Sequence, residues 1–259
     1  MMTVAPADVK ELPRIDQVLG SAVQRCETID LGGELTAYVL KDPKEALNRS
    51  THYRIYDALI PVTTRSFGAD MTPYWAQRSK EGYLERLAEF VLIGDGEGAF
   101  VGWTGHHVLR FDEHVIIYLD STGMVPHRQS KGVMRELMRQ RIVKNALPQC
   151  PADVPVYLTA RTESPIFYRL MQGLTDGGTV FPAPDTPLPE GVAHCGRDLA
   201  MWLGQSAILE PGTLTLRNAY DTLDELYGEL PSTGNPKLDA MFRGALGPLD
   251  AFLVTARMR

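Results

Sequence analysis

The chain is poor in cysteine and puts none of it in a usable pattern. Cys26, Cys150 and Cys195 are the only three in 259 residues; they are widely spaced and no pair has metal-ligand spacing. A disulfide scaffold is therefore excluded, and a reducing, cytoplasmic setting is expected. No run reaches the roughly 18 uncharged apolar residues of a membrane span, so no membrane partner is expected. The opening MMTVAPADVKELPRID lacks the apolar stretch of an export signal, and none is expected. A basic excess is also missing. Lys and Arg number 26 against 32 Asp and Glu, a net charge of -6, which argues against nucleic acid as a partner and mildly favours a cationic or amine substrate. The phosphate loop G-x-x-x-x-G-K-[ST] is absent, as is the glycine spacing of a dinucleotide fingerprint. No His/Cys/Asp set has metal spacing, so no metal is expected. Internal repeats and low-complexity tracts are lacking too.

What is present is the composition of a folded enzyme, 44% apolar and 22% charged. LTAYVLKD (35–42) alternates as a first strand, and Pro43 opens a helix after it. A turn at Ser66-Phe67-Gly68 leads to a second helix, capped by Thr72, opened by Pro73 and running to about Leu87. Residues 89–111 form two strands around Asp95-Gly96, a hairpin signal. HVIIYLDSTGMV (114–125) is a third strand of this meander. KGVMRELMRQRIVKNA follows with apolar residues at helical spacing. PVYLTA (155–160) has the composition of a buried strand, and Pro165 opens the short helix PIFYRLMQ. Farther on, RDLAMWLG and NPKLDAMFRGAL look helical, TLTLRNAY strand-like. Three segments are expected: an extension over 1–34, a core over 35–182, and an elaboration over 183–259 whose stretch 250–258 is a terminal strand returning to the core sheet.

The order strand, glycine loop, helix at 114–145 carries the chemistry. A helix start offers unpaired amides and partial positive charge, a cradle for a diphosphate. Gly132 keeps a Cβ out of the ligand's way, Arg128 and Lys131 add positive charge, and Ser130 adds a donor.

This loop, Gln129-Ser130-Lys131-Gly132-Val133-Met134, resembles the motif [QR]-x-x-G-x-[GA] of the GNAT N-acetyltransferase superfamily. The V-x-P that often precedes that loop is matched by Met124-Val125-Pro126, and the FY pair after the fifth strand by Phe167-Tyr168. Departures are Met134 where the family has Gly or Ala, Arg161 where Asn is usual, Tyr118 where many members carry Glu, and Leu170-Met171-Gln172-Gly173 in place of L-G-F. The resemblance spans roughly 35–182. It implies an α/β (α+β) fold with a mixed, mostly antiparallel sheet flanked by helices. It further implies acetyl-CoA as cosubstrate, held by Met124, Val125, Gln129, Ser130, Lys131, Gly132, Val133 and Met134 between splayed fourth and fifth strands. The expected reaction is acetyl transfer to the primary amine of a small molecule by direct attack. The alternative is a non-catalytic acyl-CoA-binding module, and the family leaves room for a homodimer.

The amine must attack neutral, and the leaving thiolate needs a proton. Tyr168 matches the position of the family's acid, or is simply a packed aromatic on a short helix. Asp120, two residues from Tyr118 and on the same strand face, is a candidate base or amine anchor; otherwise it is one half of an ion pair with a nearby Arg. His106 and His107 point to opposite faces of one strand, so one of them, His107, is a candidate for the cleft; a structural histidine is the plainer alternative. Phe67, Tyr74 and Trp75, with Tyr118, are expected to wall the acceptor pocket; for each, core packing is the competing explanation.

Overall fold

The computed structural model describes residues 11–129, 132–224, 226 and 230–259. They hold a ten-stranded sheet in the order β1-β2-β3-β4-β5-β6-β10-β9-β8, with β7 pairing on β10. It is a mixed, mostly antiparallel sheet flanked by helices, the expected fold class. The strands are β1 (Glu27–Gly32), β2 (Leu35–Lys41), β3 (Glu89–Gly94), β4 (Phe100–Arg110), β5 (Val115–Met124), β6 (Val156–Thr162), β7 (Val180–Phe181), β8 (Leu209–Glu210), β9 (Thr215–Leu216) and β10 (Ala251–Arg257). The meander β2–β3–β4–β5 is antiparallel, whereas β5 and β6 run parallel, joined by the crossover through α6 (Val133–Met138).

The strand at 35–42 is second rather than first. Glu27–Gly32 precedes it and pairs with it antiparallel. This edge strand is exposed at alternate positions and carries little apolar signal. Just before it, α1 (Ile15–Leu19) buries Ile15, Val18 and Leu19 in the core.

The helix expected from Pro43 is two helices. α2 (Pro43–Ala46) stops at Leu47, and α3 (Arg49–Phe67) restarts because the Asn48 side chain accepts from the Thr51 amide at 2.9 Å. Gly68 ends α3 in the left-handed region. The next expected helix is also divided: α4 (Thr72–Lys80) and α5 (Tyr83–Arg86) flank Gly82, which stands at φ 65°. α6 passes into a π-helical stretch over Arg139–Ala146, an element the apolar spacing did not reveal. Ser164 caps α7 (Pro165–Gln172), accepting from the Phe167 amide. In the last third, α8 (Glu190–Trp202) starts earlier than expected, TLTLRNAY yields only the short β9, and α9 (Pro236–Ala245) is capped by Asn235. β10 lies antiparallel against the far edge of β6, from Phe252 beside Thr162 to Arg257 beside Tyr157.

Strand alternation divides the side chains of β5 and β6 between two layers. Ile116, Tyr118 and Tyr157 pack with α8 residues Val192, Cys195 and Leu199 on one face. Val115, Ile117, Leu119, Leu158 and Ala160 pack with Met138, Tyr168, Met171 and Phe242 on the other. Among the described residues no helix is long and apolar enough to cross a membrane.

Candidate active site

The parallel ladder between β5 and β6 runs from Val115 beside Val156 to Leu119 beside Ala160 and ends there. Beyond that rung β5 stays with β4 while β6 stays with β10, so the two strands part. A bulge sharpens the parting. Thr104 faces Thr122 and His106 faces Leu119, which leaves Gly105 opposite both Asp120 and Ser121. Ser121 takes φ 58°, and its Oγ accepts from the Trp103 indole N–H at 2.9 Å. Gly123 is required beside it, since a Cβ there would stand 2.5 Å from the Trp103 ring.

A cavity of about 60 Å³ fills the parting. Tyr118, Asp120 and Arg161 reach it from the α8 side of the sheet, Leu119, Ala160, Thr162 and Phe167 from the α7 side, so it crosses the sheet plane. Phe67, Met71 and Tyr74 from α3, α4 and their link, with Tyr220, Leu223 and Leu226, roof the α8 side.

Asp120 is 2% exposed, and its carboxylate pairs with the Arg78 guanidinium and, at 3.1 Å, with His107 Nε2. Burial pushes this carboxyl up, but Arg78 and the His107 hydrogen bond outweigh it and hold the group below the usual carboxylate range. His107 Nδ1 faces the Arg86 carbonyl at 2.8 Å. Both of its ring nitrogens thus face acceptors. The His107 ring stacks on Tyr118 at 5.8 Å, and the Tyr83 hydroxyl donates to the Asp120 carbonyl at 2.8 Å. The ion pair offered as the plain alternative for Asp120 is present, with Arg78 as the partner. Arg78 had no sequence signal of its own, standing in a helix of mixed polarity.

Of the expected site residues, the parting gathers Asp120, Tyr118, Phe67 and Tyr74 around one cavity, with His107 one contact behind. Trp75 is not among the lining residues; it is 1% exposed and its indole donates to Thr63 Oγ1 at 2.8 Å. Tyr168 is not brought there either. Its ring packs edge-on against Phe242, and its hydroxyl donates to the Val180 carbonyl at 2.6 Å. Burial raises that phenol to about 12. His106, on the opposite face of β4, is lowered to about 3 by burial, by His107 and by Arg141. It lines a larger cavity of about 530 Å³ at the half of β4 away from the parting. There Arg141 is taken up by Glu89 and Glu27, and Lys41 by Glu27, so the principal charges of that wall satisfy one another. Arg161, Thr122 and Tyr220 were missed as site residues; Tyr220 lies where the sequence resembles nothing recognisable.

The loop toward α6 stands beside the free edge of β5. The Met124 carbonyl accepts from the Gln129 side-chain amide at 2.6 Å, and the Val125 amide donates to the Val101 carbonyl at 2.9 Å. Gly132 stands at φ 72°, and the first helical hydrogen bond runs from the Glu136 amide to its carbonyl. Val133 and Met134, half-buried against the core, therefore hold amides ahead of any helical acceptor. Ser130 and Lys131 lie outside the described residues. Arg128 is tied to Asp95 at 3.0 Å. Among the described residues no group of three or more His, Cys, Asp or Glu could hold a metal ion.

No protein family matches the chain by sequence, and no curated protein does. Solved structures similar to it include a ribosomal-protein-S5-alanine acetyltransferase from Vibrio fischeri, with 16% identity, 62% of this chain and 86% of that one covered, and a TM-score of 0.38. Another is a spermidine N-acetyltransferase from Vibrio cholerae in complex with CoA and spermine, with 14% identity, 61% and 86% covered, and a TM-score of 0.35. A third is an aminoglycoside acetyltransferase from an uncultured soil metagenomic sample, with 19% identity, 48% and 78% covered, and a TM-score of 0.34. Scores this low do not carry an activity from one chain to another.

Proposed function

We propose that the chain is an acyl-CoA-dependent N-acyltransferase of the GNAT type, transferring an acetyl group from acetyl-CoA to the primary amine of a small molecule. The observation that carries this is the parting of a parallel strand pair around a cavity that crosses the sheet. A thioester arm entering from the α7 side can run along the unpaired edge of β5 as an added strand, with its diphosphate at the amides around Gly132 and Val133. Such an arm displaces the Gln129 side chain from the Met124 carbonyl. The amine comes from the α8 side, under Phe67 and Tyr74.

Attack by the amine nitrogen on the thioester carbonyl breaks the C–S bond; the nitrogen sheds a proton and the thiolate takes one up. Asp120, held ionised, is a poor base, so we assign it to anchoring the amine. Burial keeps the proton on Tyr118, and its hydroxyl has no hydrogen-bond partner among the described residues. We assign that phenol the proton for the thiolate. The pairing of Asp120 Oδ2 with both Arg78 and His107 is what favours the second reading, a non-catalytic acyl-CoA-binding module.

Calorimetric titration with CoA, together with thiol release from acetyl-CoA over an amine panel, tests the proposal. Binding with turnover is expected, and Tyr118→Phe lowers the rate about 10²-fold. Binding without turnover establishes the second reading, and absence of CoA binding removes both.

A further inference from the structure

Asp120 and Arg161 occupy the first positions past the last rung of the β5–β6 ladder, on the same face of the sheet. Had the ladder continued one residue, the two would be cross-strand neighbours of opposite charge. They do not pair. Asp120 takes Arg78 and His107 instead. Among the described residues, no carboxylate lies within ion-pair distance of Arg161.

Its partners are neutral. Nη1 donates to Gln205 Oε1 at 3.0 Å and to the Ala219 carbonyl at 3.3 Å. The Tyr220 ring lies beneath the guanidinium at 4.8 Å, and the Tyr220 hydroxyl donates to the Arg161 carbonyl. These contacts hold the plane of the fork from one edge only. Nε and Nη2 have no partner among the described residues and are not sealed from the cavity that Arg161 lines. A cation withdrawn from water costs several kcal/mol unless an anion meets it. Its open edge offers two parallel N–H groups, the arrangement that matches the two oxygens of a carboxylate.

We propose that the acceptor carries a carboxylate that docks on the Nε–Nη2 edge of Arg161, so that the substrate class is amino acids rather than simple amines. This rests on the acyltransferase reading for the amine's role, but the anion site stands on the Arg161 geometry. The carboxylate lies on the β6 bank of the parting, and the amine faces Asp120 on the β5 bank. Tyr74 and Tyr118 line the same cavity.

The test compares each of four amino acids with the amine it becomes on losing its carboxyl group: lysine with cadaverine, ornithine with putrescine, tyrosine with tyramine, phenylalanine with phenethylamine. Two quantities are read, acetyl-CoA-dependent thiol release and the melting temperature of the full chain. In at least one pair the amino acid is expected to exceed its amine in kcat/KM by about tenfold or more, a difference that Arg161→Gln abolishes and Arg161→Lys retains in part. Equal use of both members of every pair overturns the proposal, as does a preference that survives in Arg161→Gln. If no acceptor turns over, the acyltransferase reading fails separately and the melting data decide the anion site. Stabilisation by an amino acid in the wild type and not in Arg161→Gln supports it; no stabilisation in either overturns it. Should Arg161→Gln not fold, the wild-type pairs and Arg161→Lys decide.

Discussion

The two ends of the β5–β6 pair differ in kind. At the closed end, Val115 to Leu119 and Val156 to Ala160 are all buried, and the ladder satisfies their backbone. Past it, the sequences change to Asp120-Ser121-Thr122 on one strand and Arg161-Thr162-Glu163 on the other. Where strands pair, N–H and C=O groups have partners and the side chains can be apolar. Where they part, the free backbone needs water, side chains or a ligand. The polarity switch in both strands at the same rung therefore marks the site. A continuous apolar pair would have closed the sheet.

The largest effect that sharpens this contrast comes from the open end. Arg78→Ala leaves Asp120 buried beside His107 without its guanidinium, and an urea melt is expected to show a loss of about 3–5 kcal/mol. A loss under about 1 kcal/mol would mean that Asp120 is not held as a buried ion, and the contrast would lose its electrostatic half. Next comes the closed end. Leu158→Ala, at a fully buried position, is expected to cost about 2–5 kcal/mol while leaving the preference between paired amino acids and amines unchanged. A changed preference would mean that the closed end shapes the cavity.

The third effect depends on pH. Glu163 is 3% exposed, its Oε1 has no hydrogen-bond partner among the described residues, and burial, with Asp250 nearby, raises its carboxyl from 4.5 to about 8. Between those values the folded chain keeps a proton that the unfolded chain has shed, so stability falls as pH rises through that window. Glu163→Gln removes this fall. Melts at pH 4, 6 and 8 are expected to show the variant gaining on the wild type at each step; a constant difference would place the Glu163 proton elsewhere.

Much of the core was legible. The meander from β2 to β5, the helix after Pro165 and the strand at 155–160 follow from periodicity, hairpin chemistry and proline placement. Asp120 was legible as an anomaly, a carboxylate in a run of apolar strand residues. Arg78 and Tyr220 were not. One stands on a polar-looking helix and the other in a stretch of weak pattern, and each enters the site only through contacts distant in sequence. Tyr168 shows the converse: the motif spacing is kept, yet α9 and β7 enclose the side chain.

Taken alone, the sequence determined where strands and helices form, because alternation, capping and glycine placement act over a few residues. It also set the switch from apolar to polar at positions 120 and 161. Only the tertiary structure decided that Asp120 pairs with Arg78 and that Arg161 is left facing a cavity. Those outcomes depend on which banks a parted strand pair presents to helices and loops tens of residues away, and side-chain charges acquire their partners only when that packing is complete.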